Sequence, residues 1–275
     1  MSIAHTRHTY SLRWMIAPLF PIILFVNANA QTPERWIEIG DSLHRINDNE
    51  GAYKAYKSAF DISGYHVEAL WKMVAELTAM GDVLPKGTDQ LVKYQEAVDV
   101  ARNAVQLNPN HAEGHTMLAI ALGKLALHKS GKDKVTCLNE VRTEAEKGLL
   151  LNPQSDVCHY LLGRWNREIA NLNWLTRSYL RMTDRQVLGE ATNEKSVEHF
   201  KAAITINDSL PVYYLELGKT FVYMEKWKEA EEAFEKVAVI STHGRNARKC
   251  QRDAKTYLEM LGHANYADIK EAVQE

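Results

Sequence analysis

Cysteine is scarce. Three occur in 275 residues, Cys137, Cys158 and Cys250, and no two stand in a CxxC pair. An odd, widely spaced set excludes a disulfide framework and a thiol-based zinc site as organising principles. Three separate buried thiols are the leading expectation, with a Cys137–Cys158 bridge as the alternative. Net charge is also small, at −2, so no basic excess points to nucleic acid. Catalytic signatures are missing: there is no HExxH, no GxSxG and no GxGxxG opening a helix. Gly218-Lys219-Thr220 ends like a phosphate loop, but Tyr213 stands where the first glycine is required. His111 and His115 lie four apart without an obvious acid or cysteine to complete a metal site. The expectation is a non-enzymatic protein with no cofactor and no metal.

Long apolar runs are few, and the longest lies at the start. Residues 1–13 carry Arg7 and Arg13 and no acid, residues 14–26 are apolar, and Ala28-Asn29-Ala30 gives a small-x-small end. This is the layout of a secretory signal peptide, with cleavage expected before Gln31. The run is short of the ~20 residues that span a bilayer; retention as an N-terminal anchor is the rival reading. Losing residues 1–30 lowers the formal charge from −2 to −4. An exported chain, periplasmic or secreted, is expected. Thr32-Pro33 then reads as a helix N-cap followed by proline at the first helical position.

What the chain does have is a repeat. Trp36, Ile39, Gly40 and Leu43 are followed by Ala52, Tyr56 and Ala59, with sixteen residues from Trp36 to Ala52. The pattern returns as Tyr214, Leu217, Gly218 and Phe221, then Ala230, Phe234 and Val237, at the same interval. This is the tetratricopeptide signature. Large residues three and four apart make an apolar stripe, while the glycine and alanines let two helices approach. Each pair leaves apolar surface for the next pair to cover.

Three looser copies lie between. Trp71, Val74 and Ala75 open one and Ala97, Ala101 and Ala104 close it, with about ten residues inserted near Gly81–Asp89. His115, Leu118, Ala119 and Leu122 open the next, and Val141, Ala145 and Gly148 close it after an extension holding Lys129–Lys134. Leu162-Gly163 opens the fourth, and Phe200 and Ala203 close it after a long insertion. Leu-Asn-Pro at 107–109 and 151–153 turns the chain out of the helix. Residues 245–261 read as a capping helix, with Ala254, Leu258 and Leu261 inward and Arg245, Arg248, Lys249, Arg252 and Lys255 outward. The expected fold is therefore an all-α tetratricopeptide-type solenoid of about five helix pairs plus a C-terminal cap. It covers residues 33–262, and a tail or short helix follows at 263–275.

The fourth unit also carries His159-Tyr160-Leu161-Leu162-Gly163-Arg164-Trp165, then Glu168-Ile169-Ala170 and Asn173-Trp174-Leu175. With Glu194–Ile206 and Leu215–Thr220, this resembles the regulator of microtubule dynamics family of tetratricopeptide-like proteins. The resemblance runs from about residue 35 to 262. It implies an all-helical interaction domain without catalytic residues. Eukaryotic members are linked to microtubules, mitochondria and organelle contacts, and lipid binding has been proposed for the domain.

In stacked pairs the first helix of each pair lines the concave groove. By analogy with the repeat, the groove positions include Asp41, His44, Arg45, Lys72, Glu76, Glu113, Lys124, Tyr160, Arg164, Arg167, Glu168, Lys219 and Tyr223. Arg164, Arg167 and Lys219 favour a positive patch able to hold a carboxylate or phosphate. Arg164 and Glu168, four apart, are equally spaced to pair with one another. Trp165, Ile169 and Leu172 form a helical stripe. Core packing is its first reading, and an apolar chamber shared with Trp174 is the functional one. The sequence thus points to a protein or peptide partner on the groove near the fourth unit. The alternative is a lipid or small apolar ligand in that chamber.

Overall fold

A computed structural model describes residues 32–183, 190–240 and 245–273. The leader expected over residues 1–30 and the Arg245 side chain lie outside the described residues. Thirteen helices and no strand occur among the described residues. Helix α1 (Pro33–Arg45) opens on Thr32, whose Oγ1 accepts from Arg35 N at 3.3 Å. It pairs with α2 (Asn49–Ser63). Four more pairs follow: α3 (Val67–Val83) with α4 (Thr88–Leu107), α5 (Ala112–Ala126) with α6 (Gly131–Leu151), α7 (Asp156–Ala170) with α9 (Asn193–Ile206), and α10 (Pro211–Tyr223) with α11 (Trp227–Val239). Each pair stacks on the next. The first helices also touch directly, α3 on α5, α5 on α7 and α7 on α10. This is the expected all-α solenoid.

The joint inside a pair is a glycine beneath an aromatic ring. Gly40 lies under Tyr56, Gly81 under Tyr94, Gly163 under Phe200 and Gly218 under Phe234. A Cβ at any of these four would collide with the ring. All four rings are buried. The joint at Gly81 corrects the sequence reading, which placed an insertion there. Helix α3 runs through Gly81 to Val83, and the extra residues lengthen α3 and α4 to 17 and 20 residues. The third pair does the same: α6 starts at Gly131, so most of the Lys129–Lys134 extension becomes its first turn. Only the fourth pair keeps its insertion as a separate element, helix α8 (Trp174–Thr183).

The Leu-Asn-Pro closures work through their asparagines. Asn108 and Asn152 are extended caps, and each Oδ1 accepts from the backbone N–H two residues on, of Asn110 and Gln154, both at 3.1 Å. Asn207 closes α9 the same way without a proline, accepting from Ser209 N at 3.2 Å. The side chain supplies the turn that the terminated helix no longer can.

Helix α12 (Arg245–Gly262) packs on α11 and buries Ala254, while Arg248, Lys249, Arg252 and Lys255 are exposed. A short α13 (Tyr266–Ala272) folds back against it. It buries Ile269 and stacks Tyr266 on Trp227 with ring centroids 4.4 Å apart. The three cysteines are free and buried. Burial pushes the Cys137 and Cys250 thiols up to about 11. His115 uses both ring nitrogens, on Glu144 at 2.6 Å and on Pro109 O at 2.8 Å, and His111 caps α5 through Gly114 N. Gly218-Lys219-Thr220 sits inside α10, as a repeat helix requires.

Candidate partner-binding site on the fourth and fifth pairs

Helix α7 is set by its cap, where Ser155 Oγ accepts from Cys158 N at 3.2 Å, and by the Gly163–Phe200 joint. Helix α10 is set by Pro211 in its first turn and by the Gly218–Phe234 joint. These anchors bring together Tyr160, Arg164, Arg167 and Glu168 from α7 with Lys219 and Tyr223 from α10. At the centre is a residue that the sequence reading did not select, Glu216. It is buried, and its carboxylate accepts from Arg167 Nη2. Arg167 Nη1 also donates to the Glu216 carbonyl at 3.0 Å. Burial alone would raise the Glu216 carboxyl, but Arg167, Arg164 and Lys219 outweigh it and hold it at about 2. The signal that could have found Glu216 is an acid flanked by Leu215 and Leu217 in an apolar helix, since a buried acid demands a buried partner.

The groups then divide. Arg167 is buried and committed to Glu216, so it is a structural cation rather than an open contact. Glu168 pairs with Lys134 at 2.9 Å, not with Arg164 four residues earlier. Burial raises the Glu168 carboxyl, but Lys134 and Arg164 more than reverse it. Arg164 remains half-buried. Its nearest carboxylate oxygen, Glu216 Oε2, is 3.8 Å away, and its Nε is buried with no hydrogen-bond partner. Lys219 is half-buried, forms no ion pair within 4 Å among the described residues, and lies over the Tyr257 ring at 5.6 Å. Burial lowers its ammonium. Tyr160 and Tyr223 are kept as neutral phenols by burial.

The two tryptophans part company. Trp165 is buried, donates from Nε1 to Asn139 Oδ1 at 3.4 Å and lies under the Arg142 guanidinium at 4.8 Å. Trp174 heads α8 and is 78% exposed, so it closes no chamber with Trp165. An apolar cleft does adjoin the cluster. It lies between the ends of α5 and α7 over the start of α6, and Leu138, Val141, Leu161 and Trp165 line it with Arg164 and Glu168. It opens to solvent and is small, the centre of a water-sized molecule fitting over about 40 Å³ of it.

Away from this site Asp41, His44, Lys72, Glu76 and Lys124 make charged contacts from one pair to the next, while Arg45 donates to Ser42 at 3.0 Å within α1 and Glu113 lies 3.7 Å from His111. Lys72 of the second pair reaches Asp41 of the first at 2.5 Å, and Lys124 of the third reaches Asp82 of the second at 2.6 Å. His44 meets the buried Glu76 at 2.7 Å. No group of three or more metal-ligating side chains occurs among the described residues. Among them, no helix is long and apolar enough to cross a membrane.

Stacked helix pairs with glycine–aromatic joints define a tetratricopeptide-type helical repeat protein, a fold that generally serves protein interaction. A thermophilic repeat protein of this type from Thermus thermophilus superposes with a TM-score of 0.59 at 16% identity, over 82% of this chain and 99% of that one. The pilF protein of Pseudomonas aeruginosa gives 0.54 at 12% identity, over 88% of each. Both show the fold alone. The chain belongs to the family described as regulator of microtubule dynamics protein 1-3, whose sequence profile matches residues 36–262. Regulator of microtubule dynamics protein 3 of Xenopus laevis is 31% identical over 114 residues, 42% of this chain and 25% of that protein. Regulator of microtubule dynamics protein 1 of Bos taurus is 24% identical over 242 residues, 84% of this chain and 73% of that protein. The chain thus spans a quarter of the first relative and about three quarters of the second.

Proposed function

We propose that this protein is a non-enzymatic scaffold that binds a protein or peptide partner on the face built by α7 and α10. One observation carries the reading. Tyr160, Arg164, Lys219 and Tyr223 converge on one half-buried cluster in which Arg164 has no ion pair closer than 3.8 Å and Lys219 none within 4 Å among the described residues, whereas Arg167, Glu168 and Trp165 are paired off within the fold. A photo-crosslinking residue at Tyr223 is expected to capture a defined partner, while the same group at Lys57, exposed on α2, does not. Equal labelling from both positions would sink the assignment of this face.

A second reading has its own support. The apolar cleft beside Arg164 suits a small lipid or other apolar ligand. Native mass spectrometry of the purified protein tests it, and a protein that carries no lipid and ignores vesicles counts against it.

Export is part of the proposal. Residues 1–30 have the charge, apolar run and Ala28-Asn29-Ala30 end of a cleaved leader. N-terminal sequencing of the mature protein should begin at Gln31. A retained Met1 would favour an anchored chain. An exported chain would not meet cytoplasmic tubulin, so the role in the relatives' names is not carried over.

A further inference from the structure

The residue that follows each repeat glycine changes sign along the solenoid. It is Asp41 and Asp82 in the first two pairs, then Lys124, Arg164 and Lys219 in the last three. The two acids are fully matched. Asp41 accepts from Lys72 at 2.5 Å and from Tyr56 Oη at 2.8 Å, and Asp82 accepts from Lys124 at 2.6 Å and from Tyr94 Oη at 2.7 Å. Lys124 is thereby used. Arg164 and Lys219 occupy the same position without a hydrogen-bonded acid of their own. The two carboxylates nearest Arg164 are taken first by other cations, Glu216 by Arg167 and Glu168 by Lys134. A buried guanidinium nitrogen without a partner is costly, and a carboxylate is its natural complement. Arg164 also stands on the wall of the cleft whose other lining is largely apolar.

We propose that this corner binds a peptide segment carrying an acidic side chain beside a bulky apolar one. The acid meets Arg164, with Lys219 adding charge, and the apolar side chain enters the cleft between α5 and α7. The cleft is small: the centre of a water-sized molecule fits over only about 40 Å³ of it, far below the ~300–1,000 Å³ usual for whole-ligand sites. That suits a peptide side chain better than the tails of a two-chain lipid. The inference rests on the scaffold reading and specifies the partner's chemistry.

Gly123 allows a clean test. It lines the cleft, and a Cβ added there meets nothing within 4 Å, so Gly123→Leu fills the cleft from a helix position that tolerates it. A phage-displayed library of random peptides is panned against the wild type, Arg164→Gln and Gly123→Leu, each checked for folding by circular dichroism. On the wild type, enriched peptides should pair Asp or Glu with a large apolar residue. The acidic preference should vanish on Arg164→Gln and the apolar anchor on Gly123→Leu. Kd for a selected peptide should rise at least about tenfold in either variant. An unchanged consensus on Arg164→Gln, enrichment without acids, or no enrichment at all overturns the proposal. So does binding to phosphatidylserine-containing vesicles that selected peptides do not compete. If Tyr223 crosslinking still captures a partner while panning fails, the scaffold reading stands and only the acidic–apolar chemistry falls.

Discussion

The first two helix pairs and the last two share one joint and finish it differently. In both halves a glycine lies beneath an aromatic ring, at Gly40–Tyr56 and Gly81–Tyr94 and again at Gly163–Phe200 and Gly218–Phe234. In the N-terminal half the ring is tyrosine, and its hydroxyl donates to the aspartate next to the glycine. A lysine from the following pair completes that carboxylate. In the C-terminal half the ring is phenylalanine and has nothing to donate. The residue next to the glycine is then a cation, and the inter-pair link moves to a buried ion pair, Arg167–Glu216. Steric fit makes the repeat in both halves. The polar end of the joint is independent of that fit, so one half can be internally matched and the other left with cations to spare.

Removing one partner of the buried link should give the largest effect. Glu216→Gln leaves Arg167 buried without its counter-charge and should cost about 3–5 kcal/mol in urea unfolding. Glu168→Gln, in the half-buried pair with Lys134, should cost about 1 kcal/mol or less. Comparable losses would mean that the buried link is not special.

The joints themselves come next. Phe200→Ala and Phe234→Ala should each cost about 3 kcal/mol or more, because the ring is fully buried against a glycine that cannot fill the gap. Similar tolerance at both sites, with losses below about 1 kcal/mol, would show that the rings do not hold the pairs.

An intermediate effect should appear with pH. His159 on α7 and His199 on α9 share one hydrogen bond, Nδ1 to Nδ1 at 3.1 Å, and neither ring makes another among the described residues. Burial first, then the His159 neighbour, pulls His199 down from 6.5 to about 4. The unfolded chain therefore takes up a proton that the folded chain refuses between about pH 6.5 and 4. This group's contribution is complete above pH 6.5 and drains away as pH falls toward 4. The loss should be about 1–2 kcal/mol by pH 4.5. Urea titrations of His199→Gln at pH 7.5 and 4.5 should lack that part of the decline, and a variant as acid-sensitive as the wild type would refute it.

The smallest effect belongs to the N-terminal half. Tyr56→Phe keeps the ring and deletes the donor to Asp41, which retains Lys72. It should cost about 1 kcal/mol by thermal unfolding. A loss near that of Phe234→Ala would mean that the hydroxyl, not the ring, makes the joint.

The helix pairs were legible because their cues are local. Gly40 and Tyr56, or Gly218 and Phe234, lie sixteen residues apart in a single hairpin, so one spacing carries both the turn and the packing. The Gly81–Tyr94 joint escaped because the helices were lengthened on either side of it, which breaks the spacing without breaking the contact. The candidate site was legible as a set of residues on first helices. Which of them were open was not.

The sequence by itself therefore determined the class of fold, the order of the pairs and the residues that could meet on the inner face. Only the tertiary structure decided which charges cancel. Arg167 and Glu216 are 49 residues apart, and His159 and His199 are 40 apart. The helix period places a side chain on a face. Which partner stands opposite depends on how two separately formed pairs stack, and burial then sets how much that meeting is worth, as at Arg167 and Glu216.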